Sequence, residues 1–181
     1  MTFILSRLAA RWFAGGACLA GLVLLVGALG ATGAGNNPKC FDKEATRVGN
    51  DNANTINGTP NNDVIVSLGG GDSVDGKAGN DRICTGQGAD GATGGPGNDK
   101  INGGFKADSL DGDTGIDDQP GDGKDLIKGG FGADRLEGQG NDDRIFGGRN
   151  NDVLEGQIGF DFCDGGPRSD SVSSCETGPG D

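Results

Sequence analysis

Between Gly49 and Ser173 the chain alternates long polar, small-residue stretches with single apolar positions that return every nine residues. Blocks begin at Gly49, Gly58, Ser67, Gly76, Thr85, Gly94, Gly103 and Gly112, an eight-residue block runs from Gly121 to Lys128, and the register resumes at Gly129, Gly138, Gly147, Gly156 and Gly165. The eighth position reads Ile56, Ile65, Val74, Ile83, Ala92, Ile101, Leu110, Gln119, Ile127, Leu136, Ile145, Leu154, Cys163 and Val172, with Gln119 the one polar residue. An amphipathic helix needs three or four apolar positions per two turns, so this spacing excludes helix. It suits a very short strand that points one side chain inward. A single repeat cannot bury its own face, but repeats stacked in register bury a continuous apolar column. The pattern therefore predicts an all-β solenoid of fourteen blocks.

The sixth position is more uniform still: Asn54, then Asp63, Asp72, Asp81, Asp90, Asp99, Asp108, Asp117, Asp125, Asp134, Asp143, Asp152, Asp161 and Asp170. Allowing one deletion before Gly123 in the short block, the fourth is Gly or Asn everywhere but Lys106 and Arg168, as expected where a tight turn needs positive φ. Stacking the blocks stacks the carboxylates. Such like charges repel by about 1 kcal/mol per close pair in water and by more at lower dielectric, so the stack requires cations between its turns. The chain has no His and only five Cys, which removes the usual zinc and copper ligands. Carboxylates with flexible turn carbonyls suit Ca²⁺, which accepts six to eight oxygens, better than the stricter octahedron of Mg²⁺.

Composition narrows the reading further. Of 181 residues 39 are Gly, 33% are hydrophobic, and the formal net charge is −12. That balance argues against nucleic acid, whose phosphates need Lys and Arg, and for a cationic partner. An acidic, apolar-poor chain would ordinarily be disordered, but disorder does not require Ile or Leu at a fixed phase. Arg7 and Arg11 followed by the apolar run Ala17 to Val26 and the small residues Gly30 to Gly35 have the order of a secretory signal. The uncharged run from Trp12 to Pro38 is also long enough for an uncleaved anchor. The expected organisation is a signal peptide (or anchor) over 1–34, an N-terminal cap over 35–48, the repeat array over 49–173 and a C-terminal tail over 174–181. Removing the first segment leaves a net charge of about −14, because all 27 acidic residues lie beyond it. After cleavage no stable membrane insertion is expected.

Several blocks, such as Gly94-Gly95-Pro96-Gly97-Asn98-Asp99-Lys100-Ile101-Asn102 and Gly129-Gly130-Phe131-Gly132-Ala133-Asp134-Arg135-Leu136-Glu137, resemble the haemolysin-type, or RTX, calcium-binding nonapeptide Gly-Gly-x-Gly-x-Asp-x-apolar-x. The resemblance implies a right-handed parallel β-roll with two nonapeptides per coil, a six-residue calcium-binding turn and a three-residue strand in each. It implies that several Ca²⁺ ions sit between turns two blocks apart, with Asp63, Asp81 and Asp99 in one column and Asp72, Asp90 and Asp108 in the other. Asp134, Asp143, Asp152 and Asp161 complete the expected ligand set, with Gly-rich turn carbonyls filling each site. Gln119 in a core position, Pro120 beside it and the short block that follows lead us to expect a bulge there, with weak or vacant sites at Asp117 and Asp125.

Four cysteines follow the signal segment: Cys40, Cys84, Cys163 and Cys175. Three pairings exist; Cys40–Cys84 with Cys163–Cys175 would staple the two ends of the stack, which a solenoid must cap. Phe105 and Phe131 hold the third position of their turns, either covering neighbours or exposed. The expected function is non-enzymatic: calcium binding coupled to folding in a secreted, extracellular or cell-surface protein. The alternative is an accessory module, or degenerate relative, of an extracellular polysaccharide-active enzyme. Contact with the cell surface or an extracellular polysaccharide is the macromolecular partnership considered.

Overall fold

A computed structural model of the chain describes residues 37–115 and 121–176. The expectations for the signal segment, for Asp117, Gln119 and Pro120, and for the last residues of the tail lie outside the described residues. An antiparallel hairpin, β1 (Lys39–Cys40) and β2 (Lys43–Glu44), comes first. Two parallel seven-stranded sheets follow. One contains β3 (Arg47–Asn50), β5 (Val64–Leu68), β7 (Arg82–Gln87), β9 (Lys100–Phe105), β11 (Leu126–Phe131), β13 (Arg144–Arg149) and β15 (Phe162–Asp164). The other contains β4 (Thr55–Asn57), β6 (Ser73–Asp75), β8 (Gly91–Thr93), β10 (Ser109–Asp111), β12 (Arg135–Gly140), β14 (Val153–Ile158) and β16 (Ser171–Ser173). Consecutive strands alternate between the sheets, so two repeats make one coil of a parallel β-roll.

The core follows from the eighth position. Ile65, Ile83, Ile101, Ile127 and Ile145 line one sheet and Val74, Ala92, Leu110, Leu136 and Leu154 the other, all buried in a single cluster. Ile56 and Cys163 close it at its ends. Register pairs like with like, Ile83 with Ile101 and Leu110 with Leu136, so every coil repeats the same packing.

The count of fourteen consecutive blocks is corrected in the middle of the roll. Strand β9 pairs directly with β11, and β10 with β12, so the coil there spans 26 residues where the others span 18. Gly112 opens the turn and Gly123, Asp125 and Ile127 finish it, so a single repeat runs from Gly112 to Lys128. Asp125 is consequently a full member of the stack. The sequence supplies the reason. A strand at the Gln119 block would put an amide in the core and a Pro, which cannot donate to the ladder, beside it. At the N-terminal end, β3 adds a strand before the first full block.

Both ends are stapled. Cys40 bonds Cys84, fixing the hairpin against β5 and β7, where Cys40 and Ala45 bury Val64 and Val66. Cys163 bonds Cys175, tying the tail to β15. These are the pairings expected from their places in the stack. In the chain-entropy account, closing loops of this size stabilises by about 3–4 kcal/mol each. Phe105 and Phe131 stack on one another with ring centroids 5.1 Å apart, half-exposed, and the Arg149 guanidinium lies over Phe131 at 5.0 Å.

Candidate calcium sites between stacked turns

Each turn carries its Asp into the interior at the start of a strand, and the roll lines these up in two columns. Asp63, Asp81, Asp99, Asp125, Asp143 and Asp161 form the first, joined by hydrogen bonds in which each Asp N–H donates to Oδ1 of the Asp one coil further on, at 2.7–2.9 Å. Asn54, Asp72, Asp90, Asp108, Asp134, Asp152 and Asp170 form the second in the same way, at 2.8–3.0 Å. Asp134, Asp143, Asp152 and Asp161 thus join the stacks that Asp63 and Asn54 begin. Asp125, expected to mark a weak or vacant site, accepts from Asp99 and donates to Asp143, both at 2.8 Å.

The two oxygens of each carboxylate have different surroundings. Oδ1 takes the ladder hydrogen bond. Oδ2 of Asp72, Asp81, Asp90, Asp99, Asp108, Asp125, Asp134, Asp143, Asp152 and Asp161 is buried and meets no donor. An unpaired buried charge is costly, and nearly all buried polar atoms in proteins find a partner. Outside the Asp72 and Asp90 repeats, the orphaned oxygens face the first residue of their own repeat, where Gly leaves a cradle. A side-chain carbon added at Gly76 would lie 2.5 Å from Asp81 Oδ2 and 2.5 Å from the Gly94 carbonyl oxygen. At Gly138 the corresponding oxygens are Asp143 Oδ2 at 2.5 Å and the Gly156 carbonyl at 2.9 Å. Similar cradles adjoin Asp99, Asp125 and Asp161 in the first column and Asp108, Asp134 and Asp152 in the second. A carboxylate oxygen and a main-chain carbonyl converging on a gap between coils are hard donors of the kind Ca²⁺ takes. Among the described residues no three acidic or Cys side chains converge as a metal-binding group. Any ion in a gap is therefore held by carboxylates together with main-chain carbonyls.

Electrostatics agree with the geometry. Burial, reinforced by like charges above and below and opposed by the ladder hydrogen bond, pushes Asp143 up to about 9 and Asp99 up to about 8. Burial likewise takes Asp108 and Asp125 to about 7, and Asp81 and Asp134 to about 6. Asp90, Asp152 and Asp161 are raised for the same first reason. Without a cation these carboxylates resist ionisation at neutral pH; a cation in the gap removes that resistance.

Three members of the expected ligand set sit in different surroundings. Ser67 and Thr85 replace Gly at the first position of the Asp72 and Asp90 repeats. Their buried hydroxyls donate to the carbonyls of Thr85 and Gly103, at 2.7 and 2.8 Å, filling the space the cradles leave elsewhere. At the N-terminal end, Asp63 Oδ2 accepts from the Thr59 N–H at 2.6 Å and its hydroxyl at 2.8 Å. Burial works to raise Asp63, but the bonds from Thr59, the Arg47 charge and the Thr46 hydroxyl bring it below its usual value. The first-position residues were visible in the sequence, but their significance needed the column geometry. Asp113, at the root of the insertion, was not singled out by any periodicity, yet it is as buried as the ladder residues.

The family model for the RTX calcium-binding nonapeptide repeat (4 copies) matches residues 48–83, 57–92, 85–118, 120–154 and 138–172, which together cover more than half of the chain. No curated protein matches the chain. With its nonapeptide periodicity, parallel roll and stacked turn aspartates, the chain belongs to the family of RTX calcium-binding nonapeptide repeat proteins.

Proposed function

We propose that the chain is an extracellular calcium-binding protein whose folding is coupled to the ions it takes between its coils. The observation that carries this reading is the row of ten buried Oδ2 atoms without donors, eight of them facing a glycine cradle and a main-chain carbonyl. The cradles beside Asp81, Asp99, Asp125, Asp143 and Asp161 would hold ions on one side, and those beside Asp108, Asp134 and Asp152 on the other. Calcium supplies there the positive charge that lets stacked carboxylates ionise in a dry turn. The protein supplies the alignment: Oδ1 fixes each Asp to the neighbouring coil, which leaves Oδ2 free to coordinate. Two disulfides and a strongly acidic chain support an extracellular setting, where oxidation is permitted and disulfides persist.

A preformed site is absent from an unfolded chain, so binding energy becomes folding energy. Circular dichroism and hydrodynamic radius, measured in chelator and during a calcium titration, test this. The expected result is an expanded, weakly structured chain that gains β-structure and compacts cooperatively. Identical spectra and radii in chelator and calcium would overturn it.

A further inference from the structure

The insertion that interrupts the roll leaves it at Gly112 and re-enters at Gly123, and its first residue turns inward. Asp113 is 1% exposed. Its Oδ2 accepts the Gly123 N–H at 3.2 Å, clasping exit to re-entry. Its Oδ1 is buried and has no hydrogen-bond partner. Beside it, a side-chain carbon at Gly112 would collide with Asp125 Oδ2 and lie 2.6 Å from the Gly138 carbonyl oxygen. Next to this gap, and close enough to Asp125 to feel its charge, lies a buried carboxylate that the nonapeptide pattern does not provide. Asp113 is pushed up to about 8 by burial and then by the charges of Asp125 and Asp122, and it in turn raises Asp99 and Asp143. No Lys or Arg among the described residues pairs with Asp113 or Asp125. A clasp to Gly123 needs only a neutral acceptor, so it accounts for Oδ2 and leaves the charge and Oδ1 unexplained.

We propose that the root of the insertion builds a cation site of its own, in which the Asp113 carboxylate joins Asp125 Oδ2 and the Gly138 carbonyl, so that this gap takes calcium ahead of the other gaps. The inference rests on the calcium-binding reading above. It makes the longest coil the place where ordering starts. Greater negative charge in the same kind of cradle raises cation affinity, since ligand charge count tunes such sites.

Asp113→Asn tests this, because the amide oxygen still accepts the Gly123 N–H while the charge is lost. Calcium titration calorimetry on the full chain should show the tightest class of sites losing one ion, or weakening on the order of tenfold or more. Asp142→Asn, which removes an exposed carboxylate paired with Lys124, controls for net charge and should leave that class unchanged. In the unmodified chain at limiting calcium, hydrogen exchange should slow first at Leu126–Lys128 and Arg144. An unaltered tight class in Asp113→Asn, or protection that reaches these amides last, overturns the proposal while leaving calcium binding itself intact. An unmodified chain that takes up no calcium would instead sink the reading on which the proposal rests.

Discussion

Replacing Asp99 with Asn separates the two duties of a ladder carboxylate. Asp99 Oδ1 accepts the Asp81 N–H at 2.7 Å, and the Asn oxygen can keep that bond. Oδ2, buried without a donor beside Gly94, becomes an amide nitrogen that faces the Gly112 carbonyl as a donor. In the ion-free roll the substitution removes a carboxyl that burial holds at about 8 against an ordinary 3.8. At pH 7 its ionisation opposes folding over a little more than three of those units, roughly 4 kcal/mol. The ion-free roll should therefore gain stability, with roughly 4 kcal/mol as the upper end. In calcium the sign reverses, because the gap loses its anionic ligand and the donor now points at the ion. The assay is urea denaturation at pH 7 with saturating calcium, and again in chelator with sulfate added to populate the compact state. Asp99→Ala, which also deletes the acceptor for Asp81 and leaves a void, should lose stability in both conditions. Equal destabilisation by Asn in calcium and in chelator, or none in calcium, would show that Oδ2 is a structural acceptor and not an ion ligand.

Other expectations follow from the same geometry. Thr85→Gly empties the space its hydroxyl fills beside Asp90 and should raise the number of calcium ions bound, counted by calorimetry; an unchanged count would mean that the hydroxyl does not plug the site. Gly76→Ala should abolish the ion beside Asp81, because the methyl group occupies the cradle; retention of every ion would contradict this. In chelator Asp81, Asp99, Asp108, Asp125, Asp134 and Asp143 have folded values raised above 3.8, so their stabilising contribution is complete below about pH 4 and is lost as pH rises through 6 to 9. The ion-free chain should compact on acidification, read by circular dichroism, whereas the calcium form should be most stable at neutral to alkaline pH.

Much of this was legible in the sequence, for a physical reason. In a solenoid each side-chain position repeats its environment, so Ile83, Ile101 and Ile145 could be placed in one column from spacing alone. The Asp phase and the end-to-end cysteine pairing followed from the same repetition. The middle of the roll was harder. Gly112 and Gly121 both look like first positions, and counting blocks cannot distinguish a shortened repeat from an interrupted one. Strand pairing decides it, since Ile127 lies beside Ile101 and Leu136 beside Leu110, each 26 residues on. Gln119 and Pro120 carried the warning, but not that Asp125 keeps its place in the hydrogen-bond ladder. Asp113 was invisible because its burial comes from the chain's departure from the repeat. Ser67 and Thr85 were readable as departures from Gly, but that their hydroxyls occupy the cradles depends on contacts between residues 18 apart.

The most direct test is anomalous diffraction from crystals of the protein grown in calcium. The expected map has two rows of peaks inside the turns, beside Asp81, Asp99, Asp125, Asp143 and Asp161 on one side and Asp108, Asp134 and Asp152 on the other, with none at the Ser67 and Thr85 hydroxyls. Gaps without peaks, or calcium found only on the outer faces of the sheets, would contradict the assignment of the stacked aspartates as its ligands.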